Sequence, residues 1–289
     1  MVKTMRPKQW TKNAFVFAGI FFDGRILDAN RLARSVAAFV VFCLISGAIY
    51  LINDLVDIEK DRAHPLKRNR PLAAGKLSPW VAGIAAAVIL LTTIPAAFWL
   101  NTRFGLVTVF YSLIMVLYSF VLKQIVIIDV MTIAAGFVLR VFAGTTVVVV
   151  TRFSPWLYVC TTLLALFIAL NKRRHELVLL DDRANDHRSI LQEYTLSFLD
   201  DMTSLVTATA LAAYSFYTFS APNVPADHSM MLTIPFVMYG LFRYMYLIHT
   251  RNMGGAPEEI ILTDRPLLLT IILWALTAGI VIYAPIIRG

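Results

Sequence analysis

The chain has 289 residues, 58% of them hydrophobic and 15% charged, whereas a soluble domain carries charge on roughly a quarter of its residues. That balance excludes a soluble enzyme and predicts an integral membrane protein. A net charge of +8 would suit nucleic acid in a soluble protein, but beside membrane segments it marks cytoplasmic loops and anionic lipid headgroups, so no nucleic-acid partner is expected.

In chain order, apolar segments fall near 10–22, 33–52, 80–100, 104–121, 127–149, 155–170, 202–219, 230–248 and 267–287. The first is short for a full span and is either tilted or re-entrant. The others are firmer candidates for helices that cross a bilayer, which takes about 20 residues. The basic N-terminus leads into "DGRIL" without a small-residue cleavage site, so no removable signal peptide is expected. Cys43 and Cys160 both lie inside apolar runs and suggest neither a disulfide framework nor a zinc site. No repeat or soluble domain interrupts the pattern, and residues 1–289 read as one domain. The predicted fold is all-α, a polytopic membrane bundle of about nine transmembrane helices with its backbone hydrogen bonds satisfied within helices. With nine spans, most of the 26 lysines and arginines fall on one side, while Arg25, Arg31, Arg34, Arg103, Arg152 and Arg288 fall on the other. The richer side is expected to be cytoplasmic. It also takes most acids, leaving only Asp23, Asp28 and Asp227 opposite. Positive-inside bias alone predicts bases there, not both signs, so polar chemistry is expected at the cytoplasmic face of a cell membrane.

The densest charge lies in "NDLVDIEKDRAHPLKRNRPLAAG", residues 53–75. Asp54, Asp57 and Asp61 are spaced i, i+3, i+7, and Asn53, Asp57 and Asp61 are spaced i, i+4, i+8. A helix continuing two turns past the membrane segment would carry them on one face. Like charges there repel unless a cation sits among them. Carboxylates, with phosphate oxygens completing the shell, are the usual way Mg2+ is held. The bland alternative is a solvated helix end whose acids pair with Lys60 and Arg62; the adjoining membrane segment and the bases that follow favour the metal. Lys67, Arg68 and Arg70 lie between Pro65 and Pro71, which restrict the backbone. Such bases suit phosphate oxygens, although positive-inside anchoring fits the loop alone about equally well. Acids followed by guanidinium groups together describe a site for a metal diphosphate.

Further along, Tyr118, Ser119 and Lys123 end the fourth apolar segment and border the expected pocket, though an interfacial tyrosine is ordinary. Asp129 and Arg140 lie eleven residues apart in the fifth span, about 16 Å along one helix face. Charges within a span normally face the bundle interior, so this face is expected to line a chamber. Arg140 there serves either a lipid phosphate or a structural salt bridge, and Arg243 poses the same choice. Lys8 and Lys12 flank Trp10 and either bind phosphate or anchor the first segment.

The motif N-D-x-x-D-x-x-x-D trailed by R-P-L-x-x-G, seen here as "NDLVDIEKD" and "RPLAAG", resembles the first signature of the UbiA-type membrane prenyltransferase superfamily. The N-terminal "RPKQWTKN", the loop "NKRRHEL" and the late "PEEIILTDRPLL" look like its decaprenyl-phosphate phosphoribosyltransferase branch. That resemblance covers essentially the whole chain. It implies a bundle around a central cavity open to the cytoplasmic face, and Mg2+-dependent transfer of phosphoribose from phosphoribosyl diphosphate to a polyprenyl phosphate. Asp54, Asp57 and Asp61 would be the catalytic, metal-holding residues. Asn53, Lys67, Arg68, Arg70, Lys12, Lys123 and Arg140 would be substrate ligands. Superfamily members that prenylate aromatic rings usually carry a second D-x-x-x-D after the sixth helix. Here Lys172 and Glu176 occupy that spacing, and Asp182 and Asp186 repeat it ten residues later. Replacement by Lys172, Arg173 and Glu176 is preferred, because "KRRHEL" directly continues the apolar helix. A cationic second half suits a substrate that brings an extra phosphate.

Two rivals remain. A carbon prenyltransferase would move a polyprenyl group from its diphosphate to an aromatic acceptor and predicts an undisplaced second aspartate motif. A transporter predicts polar or broken segments near the bilayer midplane, whereas charge here gathers at one surface. Membrane lipids are expected partners, and a homo-oligomer is left open.

Overall fold

The computed structural model describes residues 1–63, 67–150, 154–181, 189–251 and 257–288, all helical or connecting, with no strand among them. The chain starts as a long 3-10 helix, Pro7–Phe17, followed by the short α1, Ala18–Phe22. Next come α2 (Ala29–Val56), α3 (Ile58–Ala63), α4 (Pro79–Leu100), α5 (Thr102–Phe120) and α6 (Ile128–Val148). The remainder forms α7 (Pro155–Asp181), α8 (Leu196–Ser220), α9 (Ile234–Arg251), α10 (Pro257–Thr263) and α11 (Arg265–Arg288).

Local chemistry sets the ends. Asp28 caps α2 by accepting from the backbone N–H groups of Asn30 and Arg31, and Asn101 caps α5 in the same way through Arg103 and Phe104. Proline opens α4, where a missing N–H costs nothing. At Asp57 the backbone leaves helical geometry, but its N–H still reaches Asn53 O at 3.0 Å and its carbonyl accepts from Asp61 N at 2.8 Å. The expected two-turn extension of the membrane helix is therefore present as α3, with a joint at Asp57.

Among the described residues, seven helical stretches are long and apolar enough to cross a membrane: 29–56, 79–100, 102–120, 128–148, 155–178, 229–251 and 265–287. This is a multi-pass membrane protein. Two of the nine expected segments fall outside that set. Segment 10–22 is mostly 3-10 helix rather than an α-helical span. Segment 202–219 lies in α8, whose Thr203, Thr207, Thr209, Ser215 and Thr218 dilute its hydropathy. On α4 the outward face is apolar, and Trp80 and Trp99 are 83% and 91% exposed at its two ends. Nineteen residues of helix put them about 28 Å apart, close to the hydrocarbon thickness that interfacial tryptophans flank.

The chain forms two compact units. One holds Met1–Phe21 and Ile26–Val150; the other holds Phe22–Arg25, α7 and the chain from Leu191 onward. In the first, α2 packs on α4, α5, α6 and the N-terminal 3-10 helix. Its core gathers Val16, Phe42, Ile45, Phe104, Tyr111 and Val147, while a second cluster joins Met5, Ala48, Leu51, Leu72, Ala82 and Ala86. In the second unit α7 lies along α8, and α9 packs on α11. Trp156 stacks on Phe216 with centroids 5.6 Å apart. Tyr214 OH bridges Trp274 Nε1 (2.7 Å) and Thr233 Oγ1 (2.6 Å).

Candidate active site

The end of α2 and the start of α3 bury three acids. Asp54, Asp57 and Asp61 are only 2%, 7% and 4% exposed. Buried carboxylates demand partners, and each has a base. Asp54 accepts from Arg6 Nη2 and from Arg70 Nη1 at 3.2 Å. The same Arg70 Nη1 donates to Asp61 Oδ2 at 2.6 Å. Lys123 Nζ lies 2.7 Å from both oxygens of Asp57 and 3.4 Å from Asn53 Oδ1.

Apolar neighbours explain why these bases arrive here. Arg6 follows Met5 and Arg70 nearly precedes Leu72, and both hydrophobic residues are buried in one cluster against α2 and α4. Gly47 leaves room for Met5: a Cβ there would stand 2.6 Å from Met5 Cε. Arg6 holds a left-handed backbone (φ 53°), uncommon for a non-glycine residue, and its guanidinium lies 4.7 Å from the centre of the Tyr50 ring. Lys123 sits on a short 3-10 turn, Leu122–Gln124, between α5 and α6. The chain re-enters α6 through Ile127 at φ 69°, a β-branched residue in a strained region. That strained turn buries Lys123 to 3% exposure.

Arg140, on α6, is held separately. Its Nε donates to Asn13 Oδ1 (2.8 Å), Nη1 to Gly136 O (2.8 Å) and Nη2 to Tyr111 OH (2.6 Å). Its partners among the described residues include no carboxylate, so the salt-bridge alternative gives way to a guanidinium compensated by neutral acceptors. Asn13 in turn donates to Ser46 Oγ at 3.1 Å, tying the N-terminal 3-10 helix to α2 and α6. Gly144 allows this approach: a Cβ there would lie 1.9 Å from Val16 O. Gly144→Ala is therefore expected to push the 3-10 helix off α6 and destabilise the protein by about 1–3 kcal/mol. Thermal unfolding in detergent measures this, and an unchanged midpoint would show that the contact is slack.

The expected residues thus separate. Asn53, Asp54, Asp57, Asp61, Arg70 and Lys123 come together. Lys12 bonds Gln9 on its own 3-10 helix. Lys67 and Arg68 ride the turn Lys67–Asn69, the first half-buried and the second exposed. In the second unit, Arg173 on α7 is 2% exposed and pairs with Glu176, one residue from the half-buried Lys172. Next to them Arg174 pairs with Asp200 at 2.6 Å. Arg243 takes the structural alternative, meeting Asp264 through two bonds of 2.8 and 3.2 Å. That hydrogen-bonded guanidinium holds the Asp264 carboxyl below the usual carboxylate range. Asp182 and Asp186 lie outside the described residues. Arg6, Asn13, Tyr50 and Tyr111 were not expected at all. "RPKQWTKN" carried a signal for the first two, but nothing local says which base reaches an acid 48 residues away.

Among the described residues, no three acids, histidines or cysteines form a ready-made metal cage. The donor set nevertheless fits a hard divalent cation. Arg70 Nη1 stands between Asp54 and Asp61 oxygens, so a positive charge is already held between two buried carboxylates of the type Mg2+ prefers.

The described residues thus form a polytopic helical membrane protein with a buried, ion-paired cluster at the end of a membrane helix. The model of the UbiA prenyltransferase family matches residues 14–258, and the chain belongs to that family. It is 33% identical to the decaprenyl-phosphate phosphoribosyltransferase of Mycolicibacterium smegmatis, over 98% of this chain and 92% of that one. With the Mycobacterium tuberculosis protein of the same name it shares 31% over 96% and 93%. Its fold is similar to that of a UbiA homolog from Archaeoglobus fulgidus bound to GPP and Mg2+, with a TM-score of 0.75 and 19% identity, covering 97% of this chain and 98% of that one.

Proposed function

We propose that the protein transfers 5-phosphoribose from phosphoribosyl diphosphate to a polyprenyl phosphate of the decaprenyl type, releasing diphosphate at the cytoplasmic face of a cell membrane. The carrying observation is the near-full-length similarity to relatives named for that activity. The buried acid–base cluster supports it, because the donor is a soluble, highly anionic diphosphate.

In this reading Asp54, Asp57 and Asp61 hold Mg2+, which when bound neutralises charge on the leaving diphosphate. Arg70, and Arg68 on the exposed turn before it, bind phosphate oxygens through charge-assisted hydrogen bonds. The C1–O bond to diphosphate breaks, and its electron pair leaves with the diphosphate. A C1–O bond to the lipid phosphate forms, and the ribose ring carries oxocarbenium character between the two events. A phosphate monoester is largely ionised near neutral pH (second pKa about 6), so the nucleophile needs no general base.

The decisive experiment supplies purified protein in nanodiscs with Mg2+, polyprenyl phosphate and phosphoribosyl diphosphate. A parallel arm supplies a polyprenyl diphosphate and an aromatic acid, and mass spectrometry identifies the lipid product. A phosphoribosylated lipid is expected. A prenylated aromatic acid instead would make the protein a carbon prenyltransferase. In the first arm, Arg70→Ala is expected to raise the donor KM about ten- to a hundredfold and leave the lipid KM in place; the opposite pattern would reverse the assignment of the two substrates.

A further inference from the structure

The geometry points to Arg6 as an exchange residue, which holds Asp54 while the site is empty and turns to the donor's phosphates when they arrive with a divalent cation. This rests on the metal-diphosphate reading of the cluster.

Each of the three carboxylates of the cluster is met by a base: Asp54 by Arg6 and Arg70, Asp61 by Arg70, Asp57 by Lys123. A divalent cation arriving alone must therefore displace a base that already satisfies a buried acid. The two arginines are placed to be displaced. Their side chains are 27% and 26% exposed, against 2% and 5% for Asp54 and Asp61 beneath them, and Lys123 is only 4% exposed. Arg6 spends one nitrogen on Asp54, and Arg70 uses only Nη1 on its acids. The other guanidinium N–H groups of both have no partner among the described residues. An anion from solvent thus meets guanidinium edges first, with acids behind them.

Arg6 differs from Arg70 in its mounting. It is fixed by buried Met5 on one side and by the Pro7–Phe17 helix on the other, and its side chain lies on the Tyr50 ring. The aromatic face supports the cation whether it points to a carboxylate or to a phosphate. Rotating the side chain leaves Asp54 with only its longer bond, 3.2 Å, to Arg70, without moving the backbone. Metal and diphosphate then bind cooperatively, each favouring the other by the same factor: the anion draws Arg6 away, and the freed carboxylate accepts the cation.

The test measures Mn2+ binding by electron paramagnetic resonance, with and without inorganic diphosphate, on the full-length protein in nanodiscs. For the unmodified protein, diphosphate is expected to tighten Mn2+ at least about tenfold. In Arg6→Gln, Mn2+ alone is expected to bind several-fold tighter, and diphosphate about tenfold weaker, the loss of one charge-assisted contact. Arg6→Lys keeps the charge and should keep Mn2+ weak in the absence of diphosphate. A purely structural Arg6 would weaken both ligands together, and that result overturns the inference. So does Mn2+ binding to the unmodified protein that ignores diphosphate, a measurement that needs no variant to fold. Binding of neither ligand overturns the metal-diphosphate reading itself, and this inference with it.

Discussion

Asp61→Asn, which keeps the size of the side chain and removes its charge, is expected to lower kcat/KM by on the order of a hundred- to a thousandfold, with the protein still folded. Asp61 accepts the shortest bond that Arg70 makes, at 2.6 Å, and is one of two carboxylates holding a cation between them. An asparagine offers one neutral oxygen where a charged pair stood, so both the hold on the metal and the aim of Arg70 suffer. Initial rates with purified substrates measure the loss, and the unfolding midpoint checks the fold. Removing divalent cations with EDTA from the unmodified protein is expected to stop turnover in the same way. Normal rates in either case would take the acids out of the chemistry.

Lys123→Ala is expected to destabilise the protein by about 3–5 kcal/mol, because it strands the buried Asp57 without its cation. The size follows from burial: Lys123 and Asp57 have side chains only 4% and 10% exposed and meet at 2.7 Å. Asp57→Ala strands the lysine and should cost a similar amount. The double variant Asp57→Ala/Lys123→Ala leaves no lone charge and should recover a large part, so the two losses are strongly non-additive. Thermal unfolding of the four proteins in one detergent gives the cycle. Simple additivity would mean that solvent reaches the pair. None of the three variants is expected to be active, so the double variant regains stability without activity, which separates the stability of the pair from its use.

Much of this was legible in the sequence. Apolar runs located the membrane helices because hydrocarbon leaves the chain few other choices, and helical spacing predicted one face for Asp54, Asp57 and Asp61, which the structure buries on either side of a joint at Asp57. What spacing could not supply was the partner of each acid. Arg6, Arg70 and Lys123 reach the acids from the N-terminal stretch and two connections, the first two positioned by the burial of Met5 and Leu72 and the last by the strained turn at Ile127. Those are tertiary events, invisible to a periodicity. The segment 10–22 shows the converse. Its composition suggested a membrane segment, but close contact with Gly144 and the Asn13–Arg140 bond accompany a 3-10 helix instead. Arg140 had two readings in sequence because a lone intramembrane charge does not reveal whether its compensation is ionic; the neutral oxygens that surround it come from α5, α6 and the N-terminal helix.

The tryptophans that end α4 set the setting in which such a reaction would run. Trp80 begins α4, and the acids lie where α2 ends, one connection earlier in an antiparallel pair, so they stand at the same end of the bundle. On the proposed reading, a residue that prefers the boundary between headgroups and hydrocarbon sets the depth at which the carboxylates would work. An acceptor with its tail in the bilayer reaches that depth by lateral diffusion in a plane and never enters bulk water. Its supply is then a surface density, so its Michaelis constant takes mole fraction in the lipid as its natural unit, while the donor's remains a molarity.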